Sequence, residues 1–291
     1  MFTIGTINGP LPGYWAWQSS LVPCDDGGGG GTSSGSGQFG GGGSGGGGST
    51  TTTPVNNCRN CIQAYIPTPC EKVKNQFTNN PTLQDRLNTL SSNTTATTER
   101  GFHKLSNSSI IQNAAVGTGG AVKMPDVPNG ATCTILAHTH NSPATSTYSI
   151  FSWSDLQAFA QLLKLGKLDV NTFTAFLATA DGTYYALTIE NTQNFLQFFA
   201  IGGDPLYNEN IAIKRVDQAK KYFGELASFN EVINPIIDIN TDPIDDEKAF
   251  LDLLQDNNLG VSLFESNATF TTFEKVTHNK TTGNIDKTPC N

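Results

Sequence analysis

Between residues 27 and 53 the chain has almost nothing to bury. Fifteen of its 30 glycines fall between Gly27 and Gly48, and Phe39 is the one apolar side chain in the stretch. Such a segment has no side chains to set against the loss of backbone entropy, so it is expected to behave as a disordered linker. Any folded body must therefore lie outside it. The rest of the 291-residue chain is about 40% apolar, an ordinary globular composition, and long enough for one or two domains.

The linker divides the chain into unequal parts. Residues 1–26 form an aromatic, proline-rich segment with Tyr14, Trp15 and Trp17 beside Pro10, Pro12 and Pro23. Residues 54–93 read as a cysteine-containing clasp followed by two short helices, Glu71–Thr78 and Thr82–Leu90, separated at Pro81. Leu83, Leu87 and Leu90 share one face of the second. Residues 94–205 read as a core. Strands are expected at Thr98–Leu105, Ser109–Val116, Ala121–Met124 and Thr132–His138. A helix should follow over Ser154–Leu165, where Leu156, Phe159, Ala160 and Leu163 recur at helical spacing. Asp181-Gly182 marks a hairpin between Phe173–Thr179 and Thr183–Ile189, before a helix over Thr192–Ile201. Residues 206–291 read as helices near Val216–Ile233 and Ile244–Asn257 and a closing hairpin of Gly260–Glu265 with Thr269–Thr277. The expected class is α+β, a mixed central β-sheet flanked by helices.

Charge narrows the partners. Seventeen Lys and Arg against 25 Asp and Glu give a net charge of −8. That excludes the clustered cations needed for sequence-independent nucleic-acid binding and a polybasic membrane anchor. No apolar run approaches the roughly 20 residues of a membrane span. The first residues, Met1–Thr6, lack the basic and apolar regions of a signal peptide. The Thr-, Asn- and Ser-rich, lysine-poor composition nevertheless points to an extracellular or cell-envelope location. Export would then use another route, or the chain is one piece of a longer polypeptide.

The six cysteines are Cys24, Cys58, Cys61, Cys70, Cys133 and Cys290. Cys58 and Cys61 form a CxxC pair with no second pair to complete a four-ligand zinc site. Disulfide staples in a loop-rich segment, or free thiols, are the simpler reading, and the pairing is open.

The residues that suggest chemistry are few. Two of four histidines, His138 and His140, stand at i and i+2 at the end of the expected strand Thr132–His138, so both imidazoles face one side. Downstream, Ser152-Trp-Ser-Asp155 has the pattern of a helix-opening capping box. In that reading Ser152 and Asp155 only satisfy backbone donors. The same geometry also lets the Asp155 carboxylate lean toward the sheet as an oxygen ligand. His103 and His278 read as packing or surface residues. Asp245, Asp246 and Glu247 read as a helix-start acid cluster favoured by the macrodipole.

His138-x-His140 followed by Ser152-x-x-Asp155, with an acidic residue on an upstream strand, resembles the signature of the JAMM (MPN+) zinc metallopeptidases, and in particular their secreted-type bacterial members. The resemblance covers roughly residues 94–200. It implies a layered fold like that of the cytidine deaminases. It also implies a Zn2+ ion held by His138, His140 and Asp155 with one position left open, Glu99 as general base, and Ser152 as hydrogen-bond donor to the oxyanion. Two departures stand out. Members of that family usually have proline directly after the second histidine, where this chain has Asn141-Ser142 before Pro143. Their spacing of about ten residues between histidine and aspartate is 14 here, residues 141–154.

The expected function is zinc-dependent hydrolysis of a peptide or isopeptide bond in a protein or peptide substrate. The alternative is a catalytically idle JAMM-like module for binding or assembly in a larger secreted or cell-envelope complex. In either case the N-terminal segment would attach the body to a larger exported assembly. A third reading makes the two histidines an incidental feature of a secreted adhesive protein.

Overall fold

The computed structural model describes residues 65–117, 120–141, 148–225, 234–238 and 240–290. The aromatic segment, the glycine-rich linker, most of the clasp, and Cys24, Cys58 and Cys61 lie outside the described residues. So do 142–147 of the loop after His140.

Helix α1, Pro69–Asn79, opens on a capping box. The Thr68 hydroxyl accepts from the Glu71 backbone, the Glu71 carboxylate accepts from the Thr68 backbone, and Pro69 occupies the first turn, where a missing N–H costs nothing. Helix α2, Leu83–Ser91, buries Leu83, Leu87 and Leu90, the stripe expected from sequence. Strands β1 (Gly101–Leu105), β2 (Gln112–Asn113) and β3 (Cys133–His140) follow, then α3 (Trp153–Lys164), β4 (Thr174–Thr179) and β5 (Tyr184–Ile189). The chain continues through α4 (Thr192–Phe199), α5 (Glu209–Phe223) and α6 (Pro243–Asp256), and closes with β6 (Val261–Ser266), β7 (Phe273–Asn279) and β8 (Asn284–Pro289).

The eight strands form one sheet in the order β2-β1-β3-β4-β5-β6-β7-β8. All neighbours are antiparallel except β3 and β4, which run parallel and are joined through α3. The mixed sheet flanked by helices is thus present. Alternation along the strands gives each face its own core. One face packs Phe102, Ile135, Ala137, Phe176 and Phe264 against Val73 of α1 and the leucines of α2. The other packs Leu136, Leu177, Tyr185 and Leu263 against α3 and α6, among them Leu156, Phe159 and Phe250.

Helix α1 is tied down by polar bonds as well as packing. The Lys72 ammonium, buried at 5% exposure, donates to the carbonyls of Val170 (2.7 Å) and Ile189 (2.8 Å). Burial lowers its pKa, with Glu190 and Asp169 acting in opposition. Gln76 donates to the carbonyls of Thr134 and Thr172. Cys70, in the first turn of α1, is disulfide-bonded to Cys290, just after β8. Cys133 is a buried free thiol, pushed up to about 12 by burial. The disulfide is compatible with an extracellular location. Among the described residues, no helix is long and apolar enough to cross a membrane.

Four elements differ from expectation. The strand expected over Ala121–Met124 is reduced to an isolated antiparallel bridge between Val122 and Val116. The strand expected over Ser109–Val116 shrinks to the two residues of β2, because Ile111 alone within it is well buried and Ile110 faces solvent at 66% exposure. The helix expected near Val216–Ile233 begins earlier, and α5 ends at Phe223; residues 226–233 of the expected span lie outside the described residues. Asn208 caps its start by accepting from Asn210 and Ile211, and Gly224, at φ 66°, takes the left-handed conformation that ends it. Strand β8 was not expected at all. It is a polar edge strand, mostly exposed, so it carries no apolar alternation to betray it.

Candidate metal centre

Strand β3 is central, between β1 and β4, and is almost wholly buried. Its last residues place His138 and His140 on the face covered by α3, with Thr139 on the opposite face. The Thr139 hydroxyl accepts from the Arg100 backbone at 2.9 Å and donates to Asn141 at 2.6 Å. Helix α3 starts beside this strand end. The site therefore sits at the C-terminal end of a parallel strand and the N-terminal end of its crossover helix, the usual location for ligands in sheets with parallel strands.

Asp155 reaches into the same space from the first turn of α3. His138 Nε2 lies 3.3 Å from Asp155 Oδ1, His140 Nε2 lies 3.3 Å from Asp155 Oδ2, and the two Nε2 atoms are 3.2 Å apart. All three residues are buried, at 0, 1 and 0% exposure. The capping box and the ligand reading turn out to be one arrangement. The same Asp155 Oδ2 accepts from the Ser152 backbone (2.7 Å) and hydroxyl (2.9 Å), and the Ser152 hydroxyl accepts from the Asp155 backbone (3.2 Å). Capping thus fixes the carboxylate in the orientation a ligand needs.

The histidine beside the loop is oriented from behind. His140 Nδ1 lies 2.8 Å from the carbonyl of Tyr148. A carbonyl only accepts, so Nδ1 carries the proton and Nε2 of the neutral ring offers a lone pair toward the cluster. This is the support that metal-binding histidines commonly have. Burial lowers the pKa of His138, favouring the neutral ring. Burial also opposes ionisation of Asp155, yet the contacts with His138 and His140 hold its carboxyl well below the usual carboxylate range. Metals bind imidazole in its neutral form and a carboxyl group in its ionised form, so metal affinity here depends on pH.

The spacing fits an ion. Ligands at about 2.0–2.1 Å around a tetrahedral metal are separated by about 3.3–3.4 Å. The two imidazole Nε2 atoms, 3.2 Å apart, stand close to one such edge, and each lies 3.3 Å from a different oxygen of Asp155, so that one ligand atom from each residue falls within 4.8 Å of the others. Among the described residues, this is the one group of three or more His, Cys, Asp or Glu whose ligand atoms converge within 4.8 Å. A buried His138/His140/Asp155 group that could hold a metal ion is therefore present. Nitrogen and oxygen donors of this kind suit zinc and its first-row divalent neighbours.

Glu99 stands beside the group rather than within it. The Arg100–Thr139 bonds extend the pairing of β1 with β3, and the Gly101–His138 register places Glu99 opposite His140. Glu99 is buried and accepts from the Val122 backbone at 3.0 Å. Gly101 makes this possible. A Cβ there would lie 2.7 Å from the Ala137 carbonyl and 3.0 Å from Val122, so a side chain would push Val122 away. The Ser152 hydroxyl is bound to Asp155, with Ser154 Oγ 3.2 Å away.

Sequence reasoning missed Tyr148, because a supporting backbone carbonyl leaves no trace in residue type. Asp246 lies in the first turn of α6, as expected, but has a second set of contacts that residue type did not reveal. It is fully buried and accepts from the Ser149 hydroxyl at 2.6 Å, which a helix-start acid does not require. No family model, no curated protein and no solved structure matches this chain.

Proposed function

We propose that the chain is a zinc-dependent hydrolase of the JAMM type, cleaving a peptide or isopeptide bond in a protein or peptide substrate. The supporting observation is the convergence of one ligand atom each from His138, His140 and Asp155 within 4.8 Å, all three buried, on the strand and helix that carry the HxH and SxxD patterns. These three residues would hold zinc, which when bound would supply a Lewis acid able to make water nucleophilic near neutral pH.

The chain's own residues supply the rest. Glu99 takes a proton from the attacking water. As the carbon–nitrogen bond breaks, it returns that proton to the leaving amine. Ser152 donates a hydrogen bond to the oxygen that gains negative charge when the amide carbonyl is attacked. To do so its hydroxyl turns away from Asp155, whose Oδ2 retains the Ser152 backbone N–H. The disulfide supports an extracellular or cell-envelope setting. There the aromatic segment at residues 1–26 would attach the body to a larger exported assembly.

One observation favours a second reading, an idle module of the same type. The three ligands are at most 1% exposed, and Glu99 and Ser152 both bond to their own chain. The variant Glu99→Gln decides between the two. For an enzyme, zinc content by elemental analysis stays at wild-type level while peptide hydrolysis falls at least about 100-fold. A wild-type protein that holds zinc and cleaves nothing across peptide and isopeptide libraries supports the idle module. Wild-type turnover by the Gln variant removes Glu99 from the mechanism.

A further inference from the structure

The bond between His140 and the Tyr148 carbonyl raises the question of what holds Tyr148. Its hydroxyl donates to the Phe223 carbonyl at the end of α5 (3.2 Å), and its ring meets that of Phe223 edge-on, with centroids 5.4 Å apart. The next residue, Ser149, is buried and held twice. Its carbonyl accepts from the Thr183 hydroxyl (2.6 Å), and its own hydroxyl donates to Asp246 Oδ2 (2.6 Å). Two consecutive residues are thus fixed from α5, from α6 and from the β4–β5 turn. The carbonyl that orients His140 lies between those anchors.

We infer that Asp246 is a positioning residue for the metal centre, acting through Ser149 and the Tyr148 carbonyl on His140. This rests on the metal-site reading above and assigns a role to a residue 91 positions beyond Asp155, outside the stretch that carries the ligand pattern. Helix α6 has no need of Asp246 at its start. Asp242 caps it by accepting from Ile244, and Asp245 already places a charge in the exposed first turn. Burying a carboxylate is costly unless its bonds matter. The bond to Ser149 is the long-range one, spanning 97 residues of sequence.

The test measures zinc affinity of the full chain by competition with a chromophoric chelator, together with the d–d spectrum of the cobalt(II) form. Asp246→Ala and Ser149→Ala are expected to bind zinc about tenfold more weakly and to shift the cobalt bands, since loss of a supporting partner costs about 10–100-fold in affinity. Asp246→Asn keeps an acceptor oxygen for Ser149 and is expected to restore affinity to within about threefold of wild type. A residue that only stabilises the fold would lower the melting temperature and leave both readouts alone. The inference is overturned if Ser149→Ala and Asp246→Ala melt cooperatively yet bind zinc and cobalt as wild type does. Should Asp246→Ala fail to fold, Ser149→Ala decides alone. Wild-type protein that binds no zinc sinks the metal centre and this inference together. Wild-type binding with unaffected variants sinks this inference only.

Discussion

The two faces of the sheet solve different problems. The face under α1 and α2 is a mainly apolar layer in which Phe77, Phe176, Phe270 and Phe273 stack edge-on or tilted, closed at its border by the Cys70–Cys290 bond; its buried Lys72 and Gln76 bond to backbone carbonyls. The face under α3 and α6 is larger, and polar groups are set into it: the metal centre, then Ser149 with Asp246, then Tyr185 with Glu247. Buried polar groups add little net stability, and any that lose a partner are costly. The comparison teaches that the fold's reserve of stability sits opposite its chemistry. The two should then separate under mutation.

The largest expected separation comes from the disulfide. It closes a loop of 220 residues, for which chain entropy alone gives about 5 kcal/mol of stabilisation. Cys70→Ser with Cys290→Ser should lower stability in urea by up to that amount while zinc affinity stays at the wild-type value. A loss of affinity at temperatures where the variant is folded would break the division between faces. Leu87, fully buried under α2, is next. Leu87→Ala should cost about 2–5 kcal/mol, again with metal affinity unmoved.

A smaller effect, of pH, belongs to the other face. Burial, reinforced by the charge of Glu265 and opposed by Lys287 and the Tyr185 hydroxyl, pushes Glu247 up to about 7. A carboxyl whose pKa is raised on folding binds more protons in the native state. Stability therefore falls as pH rises from its unfolded value near 4.5 to about 7, and is level above. Glu247→Gln should flatten this slope in urea titrations of the metal-free protein between pH 5 and 8, a change of up to about 3 kcal/mol. An unchanged slope would assign the titration to other groups.

Much of this was readable from residue pattern, for definite reasons. His138, His140 and Asp155 were found because strand alternation and the capping box have sequence periods of their own. The leucine stripe of α2 was found on the same grounds. Strand β8 was not, because a polar edge strand has no buried face to mark it. The first two turns of α5 were missed because its buried residues begin only at Ala219. Asp246 could not be told from an ordinary helix-start acid, since what distinguishes it is Ser149, far away in the chain. Local patterns wrote the ligands into the sequence, while their supports are tertiary.

The disulfide has a mechanical consequence. Every strand of the sheet lies within the loop that Cys70 and Cys290 close. Tension entering the chain before Cys70 and leaving after Cys290 crosses the sulfur–sulfur bond and bypasses the sheet. A body tethered in that way can be pulled on without its metal centre feeling the load. Reduction would place the whole fold in the line of force.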